Sequence, residues 1–316
     1  MAESAGKRMR AALESPEVLL MPGGFSPLVA RMCEELGYGG FFMAGSQTNA
    51  YAFGMPDVGL SGMAEMVENA RRITAVSDIP VLMDGDTGWG NVLNVYRTVR
   101  ACAAAGVAAV SLEDQEAPKK SGTESGRRCV SLEEHEGKVK AAVAARDEMG
   151  SDMLICARTD AIGAEGLTYH DALERAVAYA EAGADLVWLN TVQTREQAAE
   201  ACRTIPAPVL PLWGGPPPSP SIAEWADIGA AALLFPALTT APGLQSTWEL
   251  LNEFRERGLD AFREWQSRTA QSPWGAFDYH TLVRPSPERV RDLESAYLPK
   301  ESQRDYGSTF GHSTQV

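Results

Sequence analysis

Short apolar segments recur along the chain, and a stretch with helical periodicity follows each of them. The segments are continuously apolar rather than alternating, which is typical of strands buried on both faces of a parallel sheet. Several of the helical stretches end in glycine, the residue that most readily adopts the positive φ found just after a helix. Eight strands are predicted, at Val18–Met21, Gly40–Ala44, Val81–Asp84, Ala109–Glu113, Leu154–Arg158, Asp185–Asn190, Pro208–Trp213 and Ala231–Pro236.

Eight strand–helix units match the count of a (β/α)8 TIM barrel. The alternative, a doubly wound sheet, favours a glycine-rich phosphate-binding motif after an early strand, and Met21-Pro-Gly-Gly24 is not that motif. We therefore predict an α/β fold with a TIM barrel over residues 1–257. A C-terminal helical extension over 258–300 and a flexible tail over 301–316 follow. The extension exceeds what a barrel needs, so we expect it to cover this barrel or a neighbouring one.

The composition and charge of the chain argue against several classes of function. The chain has 316 residues, 45% of them hydrophobic, and a formal net charge of -14. This charge argues against a nucleic-acid-binding surface, which needs clustered basic residues. No apolar run approaches the roughly 18 residues of a transmembrane helix, and the charged N-terminus has no signal-peptide core. Five cysteines without a CxxC pair are typical of a reducing compartment, so we expect a cytoplasmic protein with no membrane partner.

Carboxylates gather at the ends of adjacent predicted strands, where TIM-barrel enzymes place their catalytic residues. Asp84 and Asp86 are two residues apart and would point the same way in an extended strand. Glu113 ends the next strand. Such a cluster needs a positive partner, and an oxygen-only site suits Mg²⁺ or Mn²⁺. The alternative is that these residues are ordinary capping carboxylates of β–α loops.

Two basic features lie near this cluster. Arg158 ends an apolar strand and suits a bidentate clamp for a substrate carboxylate; the alternative is a structural salt bridge to Asp160 or Glu113. The loop after Gln115 is polar, rich in glycine and too long for a tight turn, which is typical of a mobile lid. Its lysines, Lys119 and Lys120, are placed to reach an anionic ligand, unless the loop is simply solvated.

Five motifs occur in order over about residues 15–240: MPGGFSPLVAR, AGSQTNAYAFGMPDVG, PVLMDGDTGWGN, SLEDQEAPKKSG and CARTDA. Together they resemble the isocitrate lyase/phosphoenolpyruvate mutase superfamily. In length and loop style the chain is most similar to the 2-methylisocitrate lyases of that superfamily. The resemblance implies a (β/α)8 barrel whose last helix swaps onto a partner subunit, with dimers that pair into homotetramers.

The resemblance also implies roles for individual residues. Asp84 and Asp86 correspond to the magnesium-site aspartates, and Glu113 belongs to the same shell. Asp57 matches the pocket aspartate of a GxPD loop. The residues implied for substrate binding are Ala44, Gly45, Ser46, Asp84, Arg158 and Asn190, and those implied for catalysis are Asp57, Lys120, Ser121 and Arg158.

The chain departs from the family pattern at two positions. Family lyases carry a lid cysteine as the catalytic acid or base, and Ser121 stands in its place here, followed by Gly122 and Thr123. A hydroxyl is a far weaker acid than a thiol. Asn190 stands where glutamate is frequent, and asparagine cannot act as a base.

The leading interpretation is therefore a Mg²⁺-dependent carbon–carbon lyase. It would act on a 2-hydroxy or 2-oxo di- or tricarboxylic acid, through an enolate of an α-oxo acid. An oxaloacetate-type decarboxylase needs the same enolate stabilisation without the cysteine. The sequence is also compatible with a phosphonopyruvate-type P–C bond enzyme and with a catalytically inactive barrel.

Overall fold

The computed structural model describes residues 3–274 and 278–309. The chain divides into two compact units, Met1–Thr240 and Ala241–Val316. The predicted domain boundary after residue 257 stays a prediction. Most of the predicted tail, residues 301–309, is described and includes a short 3-10 turn at Lys300–Ser302, whereas residues 310–316 lie outside the described part.

The first unit is the predicted TIM barrel. Its eight parallel strands are hydrogen-bonded in the order β7-β6-β5-β4-β3-β2-β1-β8. A hydrogen bond of 2.9 Å from the amide of Ala231 to the carbonyl of Val209 links β8 back to β7. The strands are β1 Leu19–Gly24, β2 Phe41–Met43, β3 Val81–Asp84, β4 Ala109–Glu113, β5 Leu154–Thr159, β6 Leu186–Val192, β7 Val209–Trp213 and β8 Ala232–Phe235.

Helices surround the strands, and side-chain caps fix where several of them begin. Thr168 and Ser221 form capping boxes with Asp171 and Glu224, in which each side chain accepts the partner's backbone N–H. The helices of this unit are α1 Ala5–Leu13, α2 Pro27–Glu35, α3 Gly45–Gln47, α4 Met63–Thr74, α5 Val92–Ala104, α6 Leu132–Glu148, α7 Tyr169–Glu181, α8 Arg195–Thr204 and α9 Ile222–Ile228, with a π-helical turn at Thr48–Phe53.

Alternate strand residues fill the barrel interior, including Met21, Phe42 and Leu82. Helix α1 packs on the amino end of the barrel, where Met9 and Leu13 join the same interior cluster. The carboxyl ends of the strands lie at the other end, so the polar residues that follow them surround one mouth.

Residues of β7, β8 and α9 and of the loops after the two strands line an apolar groove of about 560 Å³. Trp213 and Trp225 meet edge-to-face in its wall, with ring centroids 6.0 Å apart. Phe235 and Leu238 line the rim and are partly exposed.

The second unit contains α10 Ala241–Arg257, α11 Leu259–Ala270 and α12 Pro287–Tyr297. Gly258, at φ +61°, separates α10 from α11. Along α10 the large apolar residues Leu244, Trp248 and Leu251 follow helical spacing and are 57%, 66% and 62% exposed. Among the described residues, no helix has the length and apolar character needed to cross a membrane.

Candidate active site

Asp84 and Asp86 come together, although not by the strand geometry that was predicted. β3 ends at Asp84, and Asp86 follows in the left-handed region at φ +47°, so side-chain alternation along the strand does not extend to it. The amide of Asp86 donates to Asp84 Oδ1 at 3.2 Å. The carbonyl of Asp86 accepts from the amide of Glu113 at 2.9 Å. These backbone contacts therefore bring Asp84, Asp86 and Glu113 together at the carboxyl ends of β3 and β4.

Lys119 lies at the centre of the carboxylates. Its Nζ atom is 2.6 Å from Oδ1 of Asp57 and 2.6 Å from Oδ1 of Asp86. The lysine is only 3% exposed. Asn49, also buried, donates to Asp57 Oδ1 at 3.2 Å. Lys119, a residue of the lid loop after Gln115, thus places its positive charge between Asp57 of the GxPD loop and Asp86 of the turn after β3.

Burial and the charges of neighbouring groups both shift the pKa values of the site residues. Burial raises the pKa of Asp86 to about 6; the charges of Asp84 and Asp57 add to this effect, and Lys119 opposes it. Burial also raises the pKa of Glu113 well above its usual range, against the attraction of Arg158 and Lys119. Burial disfavours the charged form of Lys119, but the surrounding carboxylates outweigh this and raise its pKa.

The donor set fits a hard divalent cation. Oδ2 of Asp86 and Oε1 of Glu113 are fully buried and accept no hydrogen bond from the described residues, which is costly for an ionised carboxylate. In the described part of the chain, no three Asp, Glu, His or Cys side chains lie in an arrangement that could hold a metal ion. Lys119 and Arg158 lie among the carboxylates in this structure. An all-oxygen set that keeps water ligands suits Mg²⁺.

Arg158 is buried beside the same carboxylates. Its Nε and Nη2 atoms pair with the two oxygens of Asp160 at 3.0 and 3.1 Å. Its Nη1 atom is 3.2 Å from Glu113 and 4.0 Å from Asp84. The indole of Trp188 supports the guanidinium from below, 4.3 Å from the ring centroid. The ion pairs to Asp160 and Glu113, which were the predicted alternative, are therefore present, and the role of Arg158 as a clamp for a substrate carboxylate stays a prediction.

The lid is folded over this arginine. A Cβ atom at Gly122 would collide with Nη2 of Arg158 and lie 2.9 Å from Nδ2 of Asn190. Asn190 donates to the Gly122 carbonyl at 3.1 Å and also to Asp160. Arg127 donates to the same carbonyl and, at 2.7 Å, to the carbonyl of Ile162. Glycine is thus required for the lid to approach Arg158 this closely.

The two lid residues predicted to be catalytic are placed differently from Lys119. Gln115 holds the backbone of Lys120 on both sides, accepting from its amide and donating to its carbonyl at 3.0 Å each. The side chain of Lys120 is half-buried. Ser121 is also half-buried, and its Oγ lies 3.5 Å from Oγ1 of Thr123. The sequence singled out Lys120, whereas the structure buries Lys119 among the carboxylates.

The turn after β2 faces the same carboxylates. Ala44 is buried, and α3 starts directly after it, so the amide of Gly45 donates to Asp84 Oδ2 at 3.1 Å. A Cβ atom at Gly45 would lie 2.8 Å from that oxygen, which explains why glycine stands there. Ser46 follows and is half-buried.

Sequence reasoning missed a further buried carboxylate beside the site, Asp114. Asp114 is fully buried, and its Oδ1 accepts the amide of Asp160 at 2.9 Å. Its Oδ2 accepts from Thr159 at 2.8 Å, Tyr179 at 3.0 Å and Arg175 at 3.1 Å. The EDQ motif was visible, but nothing in the sequence showed that its aspartate points away from the mouth and joins β4, β5 and α7.

Comparison with known proteins agrees with this geometry. The model of the phosphoenolpyruvate phosphomutase family matches residues 9–247. A 2,3-dimethylmalate lyase of Eubacterium barkeri is 37% identical over 279 residues, which are 81% of this chain and 95% of the relative. A 2-methylisocitrate lyase of Aeropyrum pernix is 36% identical over 306 residues, 96% of each chain.

A solved structure of phosphonopyruvate hydrolase in complex with oxalate and Mg²⁺ superposes with a TM-score of 0.78 at 27% identity. The match covers 94% of this chain and 100% of that one. With the family model, the two lyases and this structure all spanning the barrel, the chain belongs to the phosphoenolpyruvate mutase/isocitrate lyase superfamily.

Proposed function

We propose that the protein is a Mg²⁺-dependent carbon–carbon lyase that cleaves a 2-hydroxy or 2-oxo di- or tricarboxylic acid. The observation that carries this proposal is the buried, undercompensated carboxylate cluster of Asp84, Asp86 and Glu113, with Arg158 beside it. The names of the two lyase relatives support the reaction class. The Mg²⁺ complex of the hydrolase structure supports the metal, with Mn²⁺ as an alternative.

Each residue has a distinct task in this proposal. Asp84, Asp86 and Glu113 hold the cation, which supplies Lewis-acid stabilisation of developing negative charge on the α-oxo acid half. Gly45 and Ser46 offer backbone donors to that half, the Gly45 amide once it leaves Asp84 Oδ2. Asn190 and Arg158 bind a substrate carboxylate once the Gly122 carbonyl moves away.

Proton transfer is assigned to the lid and the GxPD loop. Lys119 lies 2.6 Å from Asp57, so a proton taken from the substrate can be held on Asp57 while Lys119 keeps its positive charge. Ser121 is the proposed relay on the opposite fragment, with Lys120 adding positive charge near the anion. The lid would exclude water when it closes over the bound substrate.

Decarboxylation of an oxaloacetate-like acid is the second candidate. The observation that favours it is the surroundings of Ser121, whose hydroxyl lies 3.5 Å from Thr123 Oγ1 and has no base among its hydrogen-bond partners in the described structure. Decarboxylation needs the stabilised enolate but no acid at this position.

The deciding experiment is a substrate screen with pyruvate release as the readout. The purified full chain with Mg²⁺ would be tested on 2-methylisocitrate, 2,3-dimethylmalate, oxaloacetate and phosphonopyruvate. Asp84→Asn should abolish turnover while the protein stays folded, since a strand-end carboxylate does not belong to the packed core. Asp78→Asn, at an exposed position, is the matched control. Activity that persists in EDTA and in Asp84→Asn contradicts the metal-dependent proposal.

We also propose that the protein is a homo-oligomer, a dimer or tetramer, built by exchange of the C-terminal helices. The exposed apolar stripe of α10 and the apolar groove on β7, β8 and α9 are unusual on a solitary protein. Two copies that exchange their helices would bury both surfaces. Small carboxylic acids are the proposed ligands, and we propose a cytoplasmic location.

A further inference from the structure

Asp160, the first residue after β5, is fully buried and accepts hydrogen bonds from three side chains. Nη2 of Arg158 donates to Oδ1 at 3.1 Å, and Nε of the same arginine lies 3.0 Å from Oδ2. Nε2 of Gln115 donates to Oδ2 at 3.1 Å, and Nδ2 of Asn190 donates to Oδ1. Burial disfavours the charged form of Asp160, but Arg158 and the two amides outweigh this and lower its pKa.

The two amide side chains each have a second partner in the lid. Nε2 of Gln115 also donates to the carbonyl of Lys120 at 3.0 Å. Nδ2 of Asn190 also donates to the carbonyl of Gly122 at 3.1 Å. An amide nitrogen carries two hydrogens, so each amide uses one on Asp160 and the other on the lid. The two lid carbonyls flank the residue proposed above as a proton relay.

The orientation of these amides is fixed by the chemistry of their partners. Carboxylate and carbonyl oxygens only accept hydrogen bonds, so Nδ2 of Asn190 and not Oδ1 must face both Asp160 and Gly122. Oε1 of Gln115 is then turned to the amide of Lys120, from which it accepts at 3.0 Å. Asparagine at position 160 would present one oxygen and one NH₂ group, so at least one of the present donors would lose its acceptor.

The two ends of this part of the lid differ in how strongly they depend on Asp160. Arg127 also donates to the Gly122 carbonyl, so that carbonyl keeps a partner if Asn190 turns away. The backbone of Lys120 relies on Gln115 for both its amide and its carbonyl. Loss of the Asp160 carboxylate should therefore release the lid first at Lys120.

We propose that Asp160 is a positioning residue with two tasks. It fixes the guanidinium of Arg158, and it orients the amides of Gln115 and Asn190 so that their second hydrogens hold the lid. Asp160 touches no reacting atom in this proposal. The hold on the lid stands on the contacts above, whereas the effect on catalysis rests on the lyase function proposed above.

Limited proteolysis with trypsin measures the hold on the lid without substrate or metal, because Lys120 is itself a trypsin site. Asp160→Asn should speed cleavage after Lys120 by roughly 10- to 100-fold, the effect on an opening equilibrium of losing a hydrogen bond to a charged group. Peptide mass spectrometry locates the cut, and the ratio to cleavage within the barrel helices separates lid release from general unfolding. Asp78→Asn, at an exposed position, should be cleaved like the wild type.

Gln115→Met is the second variant, and it serves alone if Asp160→Asn does not fold. It removes the link to Lys120 while Asp160 and Arg158 keep theirs, and it should also speed cleavage after Lys120. On a substrate that the wild type cleaves, Asp160→Asn should raise KM by roughly 10-fold or more, since Arg158 is no longer fixed. Gln115→Met should lower kcat through the lid and raise KM less.

Cleavage after Lys120 at the wild-type rate in folded Asp160→Asn overturns the inference, as does the same result in Gln115→Met when the first variant does not fold. Faster cleavage throughout the barrel, without preference for the lid, also overturns it. An enzyme that cleaves none of the screened acids removes the proposed function, while the proteolysis result still decides whether Asp160 holds the lid.

Discussion

Lys119 and Asp86 form a buried ion pair, with Nζ 2.6 Å from Oδ1 and exposures of only 3% and 2%. Because Lys119 comes from the lid and Asp86 from the β3 turn, this contact couples the position of the lid to the charge of the proposed metal site. Burial of both partners makes removal of either one costly, since the other charge is left without compensation.

Lys119→Met should therefore reduce kcat/KM by roughly 10²- to 10³-fold, the usual loss when one positioned electrostatic donor is removed from a site. Lys120→Met is the matched control, and it should have a smaller effect because that side chain is half-buried and outside the ion pair. Steady-state kinetics on the screened substrate, with circular dichroism to confirm folding, provide the measurement. A larger loss in the Lys120 variant would contradict the assignment.

Ser121 separates the two candidate reactions. If Ser121 relays a proton during carbon–carbon cleavage, Ser121→Ala should lower kcat by roughly 10²- to 10⁴-fold. Ser121→Cys should preserve or raise activity, since a thiol ionises more readily than a hydroxyl. Comparison of kcat on a cleavage substrate and on oxaloacetate shows which reaction depends on the residue. Full activity of Ser121→Ala on the cleavage substrate would remove serine from the mechanism.

The barrel could be predicted because, along most of the chain, the segments whose residues favour a strand or a helix are also the segments that the barrel buries in that form. The predicted fifth strand, Leu154–Arg158, differs from β5 by one residue. The structure of the segment after β2 was harder to predict from the sequence. This segment folds directly into α3 and a π-helical turn, and the start of α3 places the amide of Gly45 against Asp84. A helix as short as α3 contains too few residues to show a hydrophobic period in the sequence.

The sequence predicted the site residues at the ends of the strands, but it did not predict which lid residue is buried among them. Lys119 and Lys120 are neighbours in an irregular loop, where no period decides which one is buried. The two hydrogen bonds between the Gln115 side chain and the Lys120 backbone fix the loop so that Lys119, and not Lys120, is buried. His135 is also completely buried, although its neighbours Glu134 and Glu136 are charged, so the local sequence gives no sign of its burial.

The apolar stripe on α10 leads to a prediction about assembly. Wild-type protein should sediment as a dimer or tetramer, and the double variant Trp248→Asp with Leu251→Asp should sediment as a smaller particle or aggregate, because charges replace side chains that are 66% and 62% exposed. Glu256→Lys, an exposed change on another face of α10, is the control. A wild-type monomer in sedimentation velocity would contradict helix exchange.

His135 gives the protein a specific sensitivity to acid. Burial lowers the pKa of His135 to about 4; the charges of Lys138 and Arg175 add to this effect, and Asp114 opposes it. Its ring meets Tyr179 edge-to-face, with centroids 4.6 Å apart. In the unfolded chain a histidine has a pKa of about 6.5. Between these two values the unfolded state binds a proton that the folded state excludes, so stability falls as pH decreases from about 6.5 to about 4.

The loss should reach about 3 kcal/mol when the pH has fallen to 4, and about 2 kcal/mol at pH 5. His135→Phe removes the titration and keeps an aromatic ring against Tyr179. Denaturant unfolding at pH 7.5 and pH 5 should show a smaller drop in stability for this variant than for the wild type, whatever constant offset its packing introduces. His170→Gln, at an exposed position, should retain the wild-type drop. Equal drops for the wild type and His135→Phe would show that His135 does not take up a proton on unfolding.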